Sequence, residues 1–134
     1  MNYLDWNDIV RDQTLSESFI KQYQNRVNWW IISEYQKLSE AFIGRYQHKV
    51  DWYEISRCQK LSEAFIEQYQ DKIHWKKISK CQKLSETFIE RHQDKVDWKL
   101  ISEYQKVSKT FIKQHLDQIH LTDTFCLQNL FCES

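Results

Sequence analysis

Proline is absent from this 134-residue chain, and glycine occurs once, at Gly44. Those two residues set most tight turns, so their scarcity argues against a turn-rich β-sandwich and favours helices. Net charge is missing too, since 19 Lys and Arg balance 19 Asp and Glu. A neutral chain has no simple electrostatic pull on nucleic acid or on an anionic membrane. No apolar run approaches the roughly 20 residues that span a bilayer. The opening residues Met1-Asn2-Tyr3-Leu4-Asp5 do not read as a secretory signal. Aromatic rings are plentiful, at 15% of residues, and that content argues against disorder.

The rings are periodic. Trp6, Trp29, Trp52, Trp75 and Trp98 are spaced 23 residues apart with no insertion or deletion. Ile9, Ile32, Ile55, Ile78 and Ile101 follow three residues later, and Gln13, Gln36, Gln59, Gln82 and Gln105 seven later. Then come Leu15, Leu38, Leu61, Leu84 and Val107, each followed by a serine. A Phe-Ile pair follows, led by Phe19, Phe42, Phe65, Phe88 and Phe111. Five repeats cover about 5–27, 28–50, 51–73, 74–96 and 97–119. In the remainder, 120–134, Leu121, Gln128 and Leu130 keep the frame and Thr124 breaks it. That segment is expected to be a degenerate helical cap on a single repeat domain, 1–134.

Each repeat carries two helix starts. In the third, Asp51 is placed as an N-cap with Glu54 as its capping-box partner, and Val50 and Ile55 as a hydrophobic staple. Ser62 is placed to cap a second helix, with Leu61 and Ile66 as its staple. Each helix then has about 8 to 9 residues, too short to survive alone in water. One continuous helix is excluded, because advancing 23 residues at about 100° each turns the apolar stripe by roughly 140° per repeat. Nor is 23 a multiple of the coiled-coil repeats. The fold expected is all-α: an α-solenoid of five two-helix repeats with a degenerate C-terminal capping helix. The Trp and Phe columns form its core. Gln59, placed where the first helix ends, is expected to bond the open backbone groups of the turn. Ser33, Ser56, Ser79 and Ser102, with Val10 in their column, let helices approach closely. Cys58 and Cys81 share a column and read as small buried apolar residues in a reducing compartment, too far apart for a disulfide.

No chemistry-bearing motif stands out. His74 and His120 replace the cap residue, and His92 and His115 replace Tyr23, Tyr46 and Tyr69. There is no Cys-x-x-Cys, His-x-x-x-His, Gly-rich phosphate loop or nucleophile elbow. Glu17, Glu40, Glu63 and Glu86 lie just inside a helix start, where the helix dipole explains them. The expectation is a non-enzyme with no cofactor and no metal. Two basic columns exist: Lys37, Lys60, Lys83 and Lys106 at the turn within a repeat, and Arg26, Lys49, Lys72 and Lys95 at the turn between repeats. The first is the candidate ladder for a phosphate backbone; the alternative is lysine complementing helix C-termini. The positions that vary between repeats include Trp30, Tyr53, Lys76 and Lys77 on the first helices and Arg45, Gln68 and Arg91 on the second. Their mixed character points to a protein-binding surface, with Trp30 and Tyr53 as anchors.

The run Val50-Asp51-Trp52 through Ile55-Ser56, Gln59-Lys60-Leu61-Ser62-Glu63 and Phe65-Ile66 resembles the short helical repeats of uncharacterised proteins from giant DNA viruses of amoebae. The pattern, D-W-x-x-I-S-x-x-Q-K-L-S-E-x-F-I, covers about Asp5 to Ile119. The resemblance implies a host-directed interaction protein in the host cytoplasm, with a protein partner, no membrane and no enzymatic role. Nucleic acid is the alternative partner, and end-to-end self-association the alternative architecture.

Overall fold

The computed structural model describes residues 5–119. Among them the chain forms helices only: α1 (Trp6–Asp12), α2 (Glu17–Gln22), α3 (Trp29–Tyr35), α4 (Glu40–Arg45), α5 (Trp52–Cys58), α6 (Glu63–Gln68), α7 (Trp75–Cys81), α8 (Glu86–Arg91), α9 (Trp98–Tyr104) and α10 (Lys109–Gln114). Two helices fall in each 23-residue repeat, an A helix of 7 residues and a B helix of 6. This is the all-α repeat array that the periodicity implies. The cap expected at 120–134 lies outside the described residues.

The helix starts fall where the caps predict. Asp5, Asn28, Asp51 and Asp97 cap A helices, and Ser16, Ser39, Ser62, Ser85 and Ser108 cap B helices. The helices are shorter than the sequence suggests because each leaves α geometry early. An A helix ends on extended backbone, with Gln59 at φ −89 and ψ 145. A B helix passes into a turn in which Lys49 and Val50 N–H both donate to the Tyr46 carbonyl (2.8 and 3.1 Å). Neither ending needs left-handed backbone, and no residue described has a positive φ. The turns therefore work without glycine. Gly44 has another use: a Cβ there would lie 2.7 Å from the Tyr69 hydroxyl of the next repeat.

The chain gathers into two compact bodies, divided between His74 and Trp75. In the first, α1 packs on α3 and α3 on α5; in the second, α7 packs on α9. Successive repeats within a body are joined by three polar clips. The first is the glutamine. Gln59 Oε1 accepts from Leu38 N–H (3.0 Å), and Gln59 Nε2 donates to the carbonyls of Ser33 (2.9 Å) and Gln36 (2.6 Å). Gln36 does the same for Leu15, Gln13 and Val10, and Gln105 for Leu84, Ser79 and Gln82. The turn it completes belongs to the preceding repeat, not to its own as the sequence suggests. The second clip is the serine of the A helix. Ser33 and Ser56 Oγ donate to carbonyls four residues back (2.7 Å each) and accept the N–H of Asp51 (2.9 Å) and His74 (3.0 Å) in the next cap position. The third is the glutamate of the B helix. Glu40 holds Ser62 by both N–H (2.6 Å) and Oγ (2.9 Å), as Glu17 holds Ser39 and Glu86 holds Ser108.

The apolar core is thin. Ile32, Ile55, Ile78 and Ile101 are fully buried, as are Ile20, Ile43, Ile66 and Ile89. Phe42, Phe65, Phe88 and Phe111 are buried, while Phe19 is half-buried. The tryptophans differ from expectation: Trp6, Trp29, Trp52, Trp75 and Trp98 are all half-buried. Two layers of short helices cannot cover an indole on every side, and its N–H needs an acceptor. Trp29, Trp52 and Trp98 donate to the carbonyls of Gln24, Gln47 and Gln93, at 3.0, 2.9 and 2.9 Å. The ring then packs inside its own repeat; Trp52, Phe65 and Tyr69 have centroids 4.6 to 6.2 Å apart.

Two stability measurements follow. Gln59→Ala strands two buried carbonyls and one N–H, so it should cost about 2–4 kcal/mol in chemical denaturation. The same change at exposed Gln13 should cost almost nothing. Trp52→Ala should cost about 3 kcal/mol, the low end of aromatic truncations, because the ring is half-buried.

Candidate interaction surface

The recurring Gln, the A-helix Ser and the B-helix Glu are spent on clips, so what solvent meets is chiefly a recurring lysine at the turn within repeats two to five and two columns that vary. Trp30 and Tyr53 are large apolar side chains that stand exposed, at 51% and 41%. Arg45, Gln68, Lys76 and Arg91 are exposed and Lys77 is half-buried. These predicted site residues do not form one cluster. Trp30 and Tyr53 stand on A helices, whereas Arg45 and Gln68 line a groove between α4 and α6. Lys76, Lys77 and Arg91 belong to the second compact body.

Nothing in the repeat pattern points to the network around Trp30. Its indole N–H donates to Glu54 Oε1 (3.1 Å), across one repeat. Glu54 is 5% exposed, and Arg57 clasps it through Nε (2.9 Å) and Nη2 (2.6 Å). Arg57 Nη2 also reaches Glu34 Oε1 at 2.9 Å. Glu54 is therefore not the capping-box partner of Asp51, whose N–H goes to Ser33. Its column holds Asp8, Ile31, Lys77 and Leu100 in the other repeats, so the period does not fix the character of this position. Burial works against the charged form of Glu54, but hydrogen bonds from Arg57 and Trp30 outweigh it and hold the carboxyl below its usual range.

Cys58 and Cys81 are both exposed, contrary to the sequence reading. Each is the last residue of an A helix, where the helix no longer covers it. Cys58 Sγ lies 3.6 Å from Glu54 Oε2. Desolvation at the sulfur, with Glu54 and Glu34 beside it, pushes the thiol up despite Arg57, so it is held protonated and weakly nucleophilic.

The two basic columns divide. Lys37, Lys60, Lys83 and Lys106 are exposed. Lys49 and Lys95 instead lie over the Trp29 and Trp75 rings, both 5.9 Å from the centroid, and Lys49 also donates to Gln24 Oε1 (2.9 Å). They cover the open faces of half-buried indoles. The histidines in the tyrosine column pack as the tyrosines do, His115 lying 5.0 Å from Trp98 and 4.4 Å from Phe111. No group of three potential metal ligands occurs among the described residues. No helix among them is long and apolar enough to cross a membrane.

Glu54 gives a pH test. A carboxyl depressed by folding stabilises above its unfolded value, near 4.5, and that contribution is lost as pH falls through the lower folded value. Between pH 6 and pH 3 the wild type should lose more stability than Glu54→Gln, measured by urea denaturation at each pH.

Compared with known families, curated proteins and solved structures, the chain matches none.

Proposed function

We propose that this chain is a non-enzymatic scaffold for protein–protein interaction. One observation carries the reading: the recurring Gln, Ser and Glu residues hold repeats together, and two columns that change from repeat to repeat, Trp30–Tyr53–Lys76 and Arg45–Gln68–Arg91, stand exposed. A stacked array that fixes varied side chains at regular spacing loses little ordering entropy on binding. Trp30 and Tyr53 are of the residue types that anchor interfaces. The resemblance to repeats of giant amoebal viruses makes the partner a host protein met in the host cytoplasm. The exposed Lys37, Lys60, Lys83 and Lys106 support a second reading, a nucleic-acid-binding array. Self-association end to end, as a spacer, is a third arrangement open to repeat arrays.

An affinity capture from amoebal lysate, with and without nuclease, separates the first two. The scaffold reading expects a small set of proteins that survives nuclease and is lost from a Trp30→Ala, Arg45→Ala, Gln68→Ala variant whose circular dichroism is unchanged. Recovery that vanishes with nuclease, or that a fourfold Lys→Ala ladder variant abolishes, would replace it with the nucleic-acid reading.

A further inference from the structure

In this fold cations settle over aromatic rings. Lys49 lies over Trp29, Lys95 over Trp75, and Lys80 over the exposed Tyr104 at 5.3 Å. Such contacts gain from the negative face of the ring. Trp30 is equally exposed, and no cation of the chain lies over it among the described residues. Its indole is nonetheless fixed, because Glu54 holds the N–H.

The charge on the helix that carries Trp30 and on the two A helices packed against it is one-sided. Helices α1, α3 and α5 carry Asp8, Asp12, Glu34 and Glu54 against Arg11 and Arg57. Each arginine pairs with two carboxylates: Arg11 with Asp8 and Asp12, Arg57 with Glu54 and Glu34. No cation of these three helices is left uncommitted. Glu34 follows Trp30 by four residues, on the same face of α3. The ring is thus held open and fixed on a carboxylate, among A helices whose own charge is net negative, with Lys37 and Lys60 at the turns beyond Glu34.

We propose that the Trp30 face of α3 and α5 docks a basic segment of a partner protein, with an arginine or lysine side chain lying on the indole beside Glu34 and Glu54. The inference rests on the scaffold reading and names the chemistry of the partner. An apolar segment would leave the net charge of Glu34, Glu54 and Arg57 uncompensated. A polyanion would be repelled by it.

The test uses the full chain and a tryptophan-free peptide bearing three spaced arginines, set against the same peptide with citrulline at each. Citrulline keeps the shape and removes the charge. Binding is read by calorimetry and by the Trp30 indole N–H resonance. The arginine peptide should shift that resonance and weaken with added salt. Citrulline and Trp30→Ala should each weaken binding about tenfold. Trp30→Phe, which keeps a ring, should fall between. Equal binding of both peptides, binding of neither, or binding indifferent to Trp30→Ala would overturn the site. None of those results touches the scaffold reading, which stands or falls on the nuclease-treated capture.

Discussion

A glutamine side chain that closes the turn of the repeat before it is the interaction on which the rest depends. Helices α1, α3, α5 and α9 stop on extended backbone, with no glycine to fold their last carbonyls back. Those carbonyls and the N–H two residues past the cap must find partners, since buried backbone groups are costly to leave open. Gln59 supplies all three for repeat two, and Gln36 and Gln105 do so for repeats one and four. A repeat's turn is therefore complete only when its successor is in place. The serine and glutamate clips bind across the same boundary, so all three link neighbouring repeats rather than closing one on itself. Helices of six or seven residues have no independent stability, and clips of this kind turn five weak pieces into cooperative stacks.

Packing inside a repeat follows a different logic. Trp, Phe and Tyr from the two helices of one repeat meet as a triad, and His92 or His115 can stand in for Tyr because a flat ring fills the same slot. The indole is too large for the layer and stays half-buried. Its N–H is satisfied by the chain just before the cap, and lysine covers its open face in repeats two and four. What reads in sequence as a basic ladder between repeats is in part a lid on the tryptophans.

Much of this was legible in the chain itself. Asp51 and Ser62 announce their helices, and the 23-residue spacing forbids a rod. Gln59 could be assigned to a turn because it stands where a helix ends. Which turn it closes depends on how near the neighbouring repeat lies, and spacing along the chain does not encode that distance. Glu54 shows the same limit. Local pattern makes it a capping partner for Asp51, yet Ser33 reaches that N–H from the preceding repeat, and the freed carboxylate turns to Arg57 and Trp30. The Cys58 thiol was misplaced because its small apolar character suggested burial, whereas its position at the helix end faces solvent. Trp30 and Tyr53 were recognisable as surface residues because they break columns. That Trp30 is tied down was not.

Charge neutrality of the whole hides local asymmetry, and the asymmetry bears on what the array can recognise. Helices α1, α3 and α5 hold more carboxylates than guanidiniums, while α7 carries Lys76, Lys77 and Lys80 with no acid. A phosphate backbone is followed by charge of one sign, repeated from unit to unit. The A helices do not keep one sign. Complementary patches of opposite sign suit partners whose own side chains vary, and they confer specificity through mismatch as much as through attraction. The clips are what permit this. Because Gln, Ser and Glu at fixed columns carry the joining of repeats, a substitution such as Ile31 to Glu54 to Lys77 across one column leaves the backbone pattern intact. An array built this way can change its recognised partner by changing surface residues while keeping every interaction that holds it together.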